Sequence, residues 1–231
     1  MSVFVSICQL ILVVVIHEWG HAYAASRLGF SYDTIFIGLP VQPKKIFDYG
    51  RKKVIVSPWL IGGGVNISEK GLLKASFPKK ILVYGAGPVF NIATGFITAY
   101  LIFGKKGLMI TWGFLDASFQ ATVMLLTGQI GLEQLSSPIG IVSIASKAIE
   151  ADFLLGAVFI WLLLNFGVAM ANLAPVPALD GGQIWMGAIC SLFGNKPGIV
   201  KIVKYLTSVF LVLLVGGMLF LTARDIAQLM W

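Results

Sequence analysis

The sequence predicts a mainly α, polytopic membrane protein. About four transmembrane helices are expected, with a small membrane-associated β-hairpin or sheet after the first. Three observations carry this reading. The 231 residues are 58% hydrophobic and only 12% charged, far from the balance of a soluble domain. Four apolar stretches, at residues 3–25, 81–103, 151–174 and 202–223, exceed the roughly 18 residues that mark a membrane span. Between the first two, residues 30–67 turn β-branched and aromatic, the composition of strands. One intramembrane core over 1–231 is expected, with no room for a large extramembrane domain.

The first stretch, VFVSICQLILVVVIHEWGHAYAA, would run about 33 Å as a helix, enough to cross a ~30 Å hydrocarbon core. It lacks a basic n-region and a small-residue cleavage site, so it is expected to be retained rather than removed as a signal peptide. Its second half carries His17, Glu18 and His21, and these two histidines are the only ones in the chain. Ionisable groups at that depth cost at least ~2.5 kcal/mol each and call for a function. His17 and His21 stand one turn apart on one face with Glu18 adjacent, the HExxH arrangement of a zinc peptidase. A polar network inside the bundle, without metal, is the bland alternative. The zinc reading leads.

After Gly29, a plausible C-cap, FSYDTIFIGL and KKVIVSPWLIGGGVNI read as strands separated by the turn region PVQPKKIFDYGR. The Gly62–Gly63–Gly64 run lacks the context of a phosphate loop, and a bend or close backbone approach explains it better. In the second span, GAGPVFN (85–91) offers small residues for close helix contact and a kinking Pro88. Asn91 there needs a hydrogen-bond partner. Interhelical contact and active-site contact both stay open for it. Residues 107–135 are read as an outer-side amphipathic or re-entrant segment, because Asp116, Gln120, Gln129 and Glu133 interrupt them. SSPIGI (136–141) opens the next helix. The third span runs into NLAPVPALDGG (172–182), where Pro175 and Pro177 break the helix. A short helix to Leu192, the GNKPG loop and the fourth span follow.

Charge orients these spans. Of the 17 Lys and Arg, ten lie within 27–80, three within 196–204 and four elsewhere. The positive-inside rule then places both basic loops in the cytosol and both termini outside, in a multi-pass plasma or inner membrane. The net charge of +7 comes without a basic stripe interleaved with stacking aromatics, which argues against nucleic acid. Anionic headgroups of the bilayer are the simpler partner. Cys8 and Cys190 sit in apolar surroundings and read as two structural thiols.

Two histidines do not complete a catalytic zinc site, which usually has three protein ligands and one open position. The third must reach the inner-side depth of His17 and His21. The third span travels from outside to inside, so Asp180 at its broken end is the best candidate. Helix N-capping by Asp180 is the bland reading. Asp116 and Asp152 fall on the outer side, and Asp33 and Asp48 in the strand region.

HEWGH (17–21), GAGPVFN (85–91) and NLAPVPALDGG (172–182), in that order, resemble the site-2 proteases, which are intramembrane zinc metalloproteases. The resemblance covers nearly the whole chain. SPWLIGGGVNI is similar to the re-entrant β-loop of the bacterial regulator-of-sigma-E branch, and LLTGQIGLEQLSSPIGI to the segment before that branch's third span. The resemblance implies one Zn2+ per chain held by His17, His21 and Asp180. It implies Glu18 as catalytic acid/base and Asn172 in contact with the substrate backbone, with Asn91 a further candidate contact. Substrates of that family are membrane-spanning proteins, such as anti-sigma factors, and leftover signal peptides. One departure stands out: residues 104–137 are too few for the PDZ domain usual there, which needs more than ~50.

Three functions compete. An intramembrane metalloendopeptidase, active towards the cytosolic side, accounts for every motif. A metal transporter or sensor would need acidic residues along several spans, and the second and fourth spans have none. A catalytically inactive scaffold for single-span proteins leaves Glu18 unexplained. The oligomeric state is open.

Overall fold

The computed structural model describes residues 1–38, 44–50, 52–57, 62–131 and 134–230. The parts of the expected turn region and re-entrant loop at 39–43, 51 and 58–61, and Glu133, lie outside the described residues. Eight helices and four strands are described: α1 (Ser2–Arg27), β1 (Tyr32–Ile37), β2 (Lys45–Tyr49), β3 (Lys52–Val56), β4 (Gly63–Ile67), α2 (Glu69–Lys74), α3 (Phe77–Phe103), α4 (Lys105–Leu126), α5 (Pro138–Ala151), α6 (Phe153–Leu173), α7 (Asp180–Leu192) and α8 (Pro197–Met230). The fold is mainly α, as expected. Three of the four expected spans fall within helices long and apolar enough to cross a membrane, namely α1, α3 and α8, and a fourth such helix, α6, covers 153–173 of the expected 151–174. A fifth such helix, α4, occupies the segment read as amphipathic or re-entrant. Its polar residues are few enough over 22 positions to leave the helix apolar by composition.

Of the two forms expected for residues 30–67, hairpin or small sheet, the described strands form the sheet, with four strands in the order β2-β3-β1-β4. Part of the segment read as a turn, KIFDY, is itself the strand β2. It pairs antiparallel with β3 from Lys45 opposite Val56 to Tyr49 opposite Lys52. Gly50 takes φ +67° in the turn between them, a conformation open to glycine at little cost. β1 pairs parallel with β3 and antiparallel with β4. Edge strand β4 therefore keeps one side of its backbone ladder unpaired among the described strands.

Two compact units divide the chain. The first comprises residues 1–13, 91–171 and 216–231, and the second 14–90 and 172–215. In the first, Leu10 and Val13 of α1 pack with Ala145 of α5 and with Ile160 and Leu164 of α6. A second cluster gathers Ala99, Val158, Leu162 and Phe166, with Phe96 edge-on to Phe166 at 5.6 Å between ring centroids. Polar groups in this apolar interior are partly matched: Ser2 donates to Glu150 at 2.6 Å and Gln9 to the carbonyl of Ala157 at 2.8 Å, while Gln9 Oε1 and Asn165 Oδ1 are buried without a hydrogen-bond partner among the described residues. Asp152 ends α5 and starts α6, accepting from the Leu155 N–H at 2.9 Å, so the third span is preceded by a separate helix.

Asp225 is the least expected element of this unit. Only 6% exposed, it accepts from the Ser137 N–H at 2.8 Å at the start of α5 and pairs with Arg224 at 2.7 Å. Arg224 also donates to the Leu135 carbonyl. The carboxylate thereby satisfies an orphan donor at a helix N-terminus, where negative charge is favoured. A side chain at Gly140 would collide with Asp225 Oδ2. Gly140→Ala and Asp225→Ala should each lower the thermal midpoint of the detergent-solubilised protein by several degrees, the scale of a broken buried charge pair. Because both strike the same contact, the double variant should fall well short of the sum, measured as a double-mutant cycle.

Candidate metal centre

The site lies wholly in the second unit and starts from a close approach of two helices. Within 14–27 of α1 and 77–90 of α3, a side chain at Gly20 would stand 2.7 Å from the Ala86 carbonyl oxygen. Tyr23 and Phe90 flank this contact with ring centroids 5.7 Å apart. The small residues of HEWGH and GAGPVFN thus let the two backbones meet, the packing route open to helices in lipid.

Contact at that distance fixes the histidines. His21 Nδ1 lies 2.8 Å from the Val83 carbonyl oxygen. A carbonyl only accepts, so Nδ1 carries the proton and Nε2 presents a bare lone pair. This is the outer contact that usually orients a metal-binding imidazole. The Nε2 atoms of His17 and His21 are 3.2 Å apart.

The third member arrives from the broken end of α6. Pro175 and Pro177 stop the helix at Leu173, and the chain turns through hydrogen bonds from Val176 to Ala174 and from Leu179 to Val176, both 2.8 Å. α7 then begins at Asp180 with Leu179 as its N-cap residue and no side-chain cap. Side chains at Gly181 and Gly182 would collide with the carbonyls of Leu173 and Val176, so the DGG sequence lets α7 fold directly back onto the turn. Asp180 is therefore not a capping residue. Its Oδ2 lies 3.0 Å from His17 Nε2 and 3.2 Å from His21 Nε2.

Three ligand atoms, each within 4.8 Å of the others, thus face one point. Ligands ~2.0–2.1 Å from a tetrahedral zinc stand about 3.3–3.4 Å apart, within a few tenths of an ångström of the separations here. Two neutral imidazoles and a carboxylate are also ordinary zinc donors. A side chain at Gly87 would overlap His21 Nε2 and stand 2.7 Å from His17 Nε2, so only glycine leaves the cluster its space. The residues fit zinc.

Glu18 is 5% exposed and rests against the sheet. A side chain at Gly63 of β4 would lie 2.7 Å from Glu18 Oε1 and 2.9 Å from the Phe36 carbonyl. Gly63 of the glycine run thus makes the close backbone approach that the run's composition suggested. Asn172 is half-buried in the last turn of α6. Asn91 is fully buried and belongs to the first unit. Sequence reasoning missed Gly87, Gly63 and the Val83 carbonyl. The small-residue character of GAGPVFN signalled close packing, but nothing in it named histidine as the neighbour.

Residues 5–217 match the family model described as Peptidase family M50. The chain is 29% identical over 115 residues, 47% of its length, to the zinc metalloprotease RasP of Oceanobacillus iheyensis. Similar values, 30% over 116 residues (48% of the chain) and 31% over 119 residues (48%), relate it to the zinc metalloproteases RasP of Shouchella clausii and Geobacillus kaustophilus. The matches span 27%, 26% and 27% of those three relatives' own lengths. The resemblance to site-2 proteases, first read from three short motifs, is borne out.

Gly87→Ala should strip the site without altering a ligand. After chelation and zinc reloading, metal analysis should find about one zinc per wild-type chain and a small fraction of that in Gly87→Ala. Asp180→Ala should behave likewise, and full zinc occupancy in both would overturn the ligand set.

Proposed function

This chain belongs to Peptidase family M50, and we propose that it is an intramembrane zinc endopeptidase that cuts membrane-spanning proteins. The observation that carries the proposal is the triangle of His17, His21 and Asp180 with Glu18 set beside it. Zinc, when bound, supplies Lewis acidity, polarising a carbonyl and lowering the pKa of water towards ~7. Glu18 takes the proton of the attacking water and returns it to the nitrogen of the leaving amine. Its burial suits a group whose proton must move between water and amine rather than escape to solvent.

A helical substrate hides its scissile carbonyl in an intrahelical bond and must extend before it can be cut. Edge strand β4 supports this step, because its outer backbone groups can add a substrate strand and its Gly63 adjoins Glu18. Main-chain pairing of this kind binds extended segments with little demand on their side chains. Asn172, eight residues before Asp180, hydrogen-bonds the extended backbone in this reading. For Asn91 both earlier readings stand. The positive-inside orientation sets the site towards the cytosol, with substrates among single-span regulators and signal-peptide remnants.

Purified full chain in proteoliposomes, given a labelled single-span peptide, tests the proposal. Cleavage should stop on chelation and return with zinc. Glu18→Gln should keep about one zinc per chain while losing about 10²-fold or more in rate. Gly63→Ala should also keep its zinc but cut more slowly, since the added methyl displaces Glu18. Undiminished cleavage by Glu18→Gln would sink the mechanism.

A further inference from the structure

α7 helps to build a second feature that proteolysis does not use. A cavity of about 380 Å³ lies among α2, the start of α3, α7 and the first turns of α8, all in the second unit. Its apolar lining includes Leu72, Met186, Val200 and Val203, and its polar lining includes Lys80, Lys204, Thr207 and Ser208.

Lys80 is the anomaly. It is 3% exposed, whereas lysine is almost never buried without an opposite charge beside it. Among the described residues, no carboxylate forms an ion pair with it. Its Nζ donates to Ser191 Oγ at 3.3 Å, and Ser191 Oγ donates onward to the Gly187 carbonyl at 2.8 Å. Ser191 therefore lends a lone pair but no charge. An ammonium has three N–H donors, which leaves two for an anion. The position is built for this stem: a side chain at Gly187 would stand 3.2 Å from Lys80 Cδ. Lys204, itself exposed to solvent, lines the same volume and adds a second cation to it. Thr207 Oγ1 accepts from Gln183 Nε2 at 3.2 Å, and its own O–H remains to donate.

We propose that this cavity binds the phosphate of an anionic phospholipid. The phosphate sits between Lys80 and Lys204, and the glycerol and first acyl carbons lie against Met186, Val200 and Val203. A phosphate offers enough oxygens to accept from two ammonium groups and neighbouring hydroxyls together. The apolar walls favour a lipid over free phosphate. So does the placement at the starts of α3 and α8, since basic pockets between spans near the cytosolic face suit anionic headgroups.

Native mass spectrometry of the full chain released from dodecyl maltoside, titrated with lipid, tests this. Phosphatidylglycerol should bind one per chain, and phosphatidylcholine at least about tenfold more weakly. Equimolar inorganic phosphate should not displace the lipid. Lys80→Met and Lys204→Met should each weaken phosphatidylglycerol about tenfold or more, the loss of a charge-assisted hydrogen bond, while Lys80→Arg keeps most of the affinity. If Lys80→Met fails to fold, as judged by size-exclusion chromatography, Lys204→Met decides. Equal binding of the two lipids, or wild-type binding by Lys204→Met, would overturn the site. Displacement by equimolar phosphate would make free phosphate the ligand and overturn the lipid. No readout depends on zinc or cleavage, so the outcome stands apart from the proteolytic reading.

Discussion

An imidazole pair inside an apolar helix, with a carboxylate from another helix brought against it, sets the terms for the second unit. Each alone is costly to remove from water. Together they are gathered on one point, with Asp180 in contact with both rings from 163 residues beyond His17. No local interaction can supply that carboxylate. The chain must end α6 abruptly, fold back and start α7 with the acid at its first position. Two prolines and two glycines make that turn.

Small residues recur wherever polar groups must meet. Gly20 lets α1 reach α3, Gly87 leaves space for the two Nε2 atoms, and Gly63 brings a strand edge against Glu18. In lipid, helices gain little from burying apolar side chains against one another, so close backbone contact does more of the work. Such contact also aligns polar groups, as the Val83 carbonyl does for His21. The motifs that read as sequence signatures are thus mainly steric permissions. HExxH carries chemistry, but GAGP and DGG carry space.

A different balance holds at Asp225 and at Lys80. Asp225 has a guanidinium and a backbone N–H, so its charge is answered inside the protein. Lys80 has a hydroxyl and a cavity beside it. One buried charge therefore reads as structural support, and the other as half of an interaction with something outside the chain.

How much of this was legible beforehand divides along physical lines. Helix type and membrane class follow from local hydropathy and length, so the four long apolar stretches were readable one by one. The i, i+4 histidines and the proline break were equally local, and with a topology argument they pointed to Asp180. Strand β2 escaped because five residues beside a Pro/Gly-rich turn carry too little pattern, and only pairing with β3 makes them a strand. Whether Asp180 capped a helix or faced the histidines was decided by tertiary structure, since both roles use the same residue at the same helix start. So were the contacts of Gly87, Gly63 and Lys80, because a glycine's sequence does not say which atoms fill the space beside it. The sequence by itself determined which groups are present and which helices carry them. Only the folded chain decided which groups meet, because those meetings depend on backbone approaches between residues far apart in sequence.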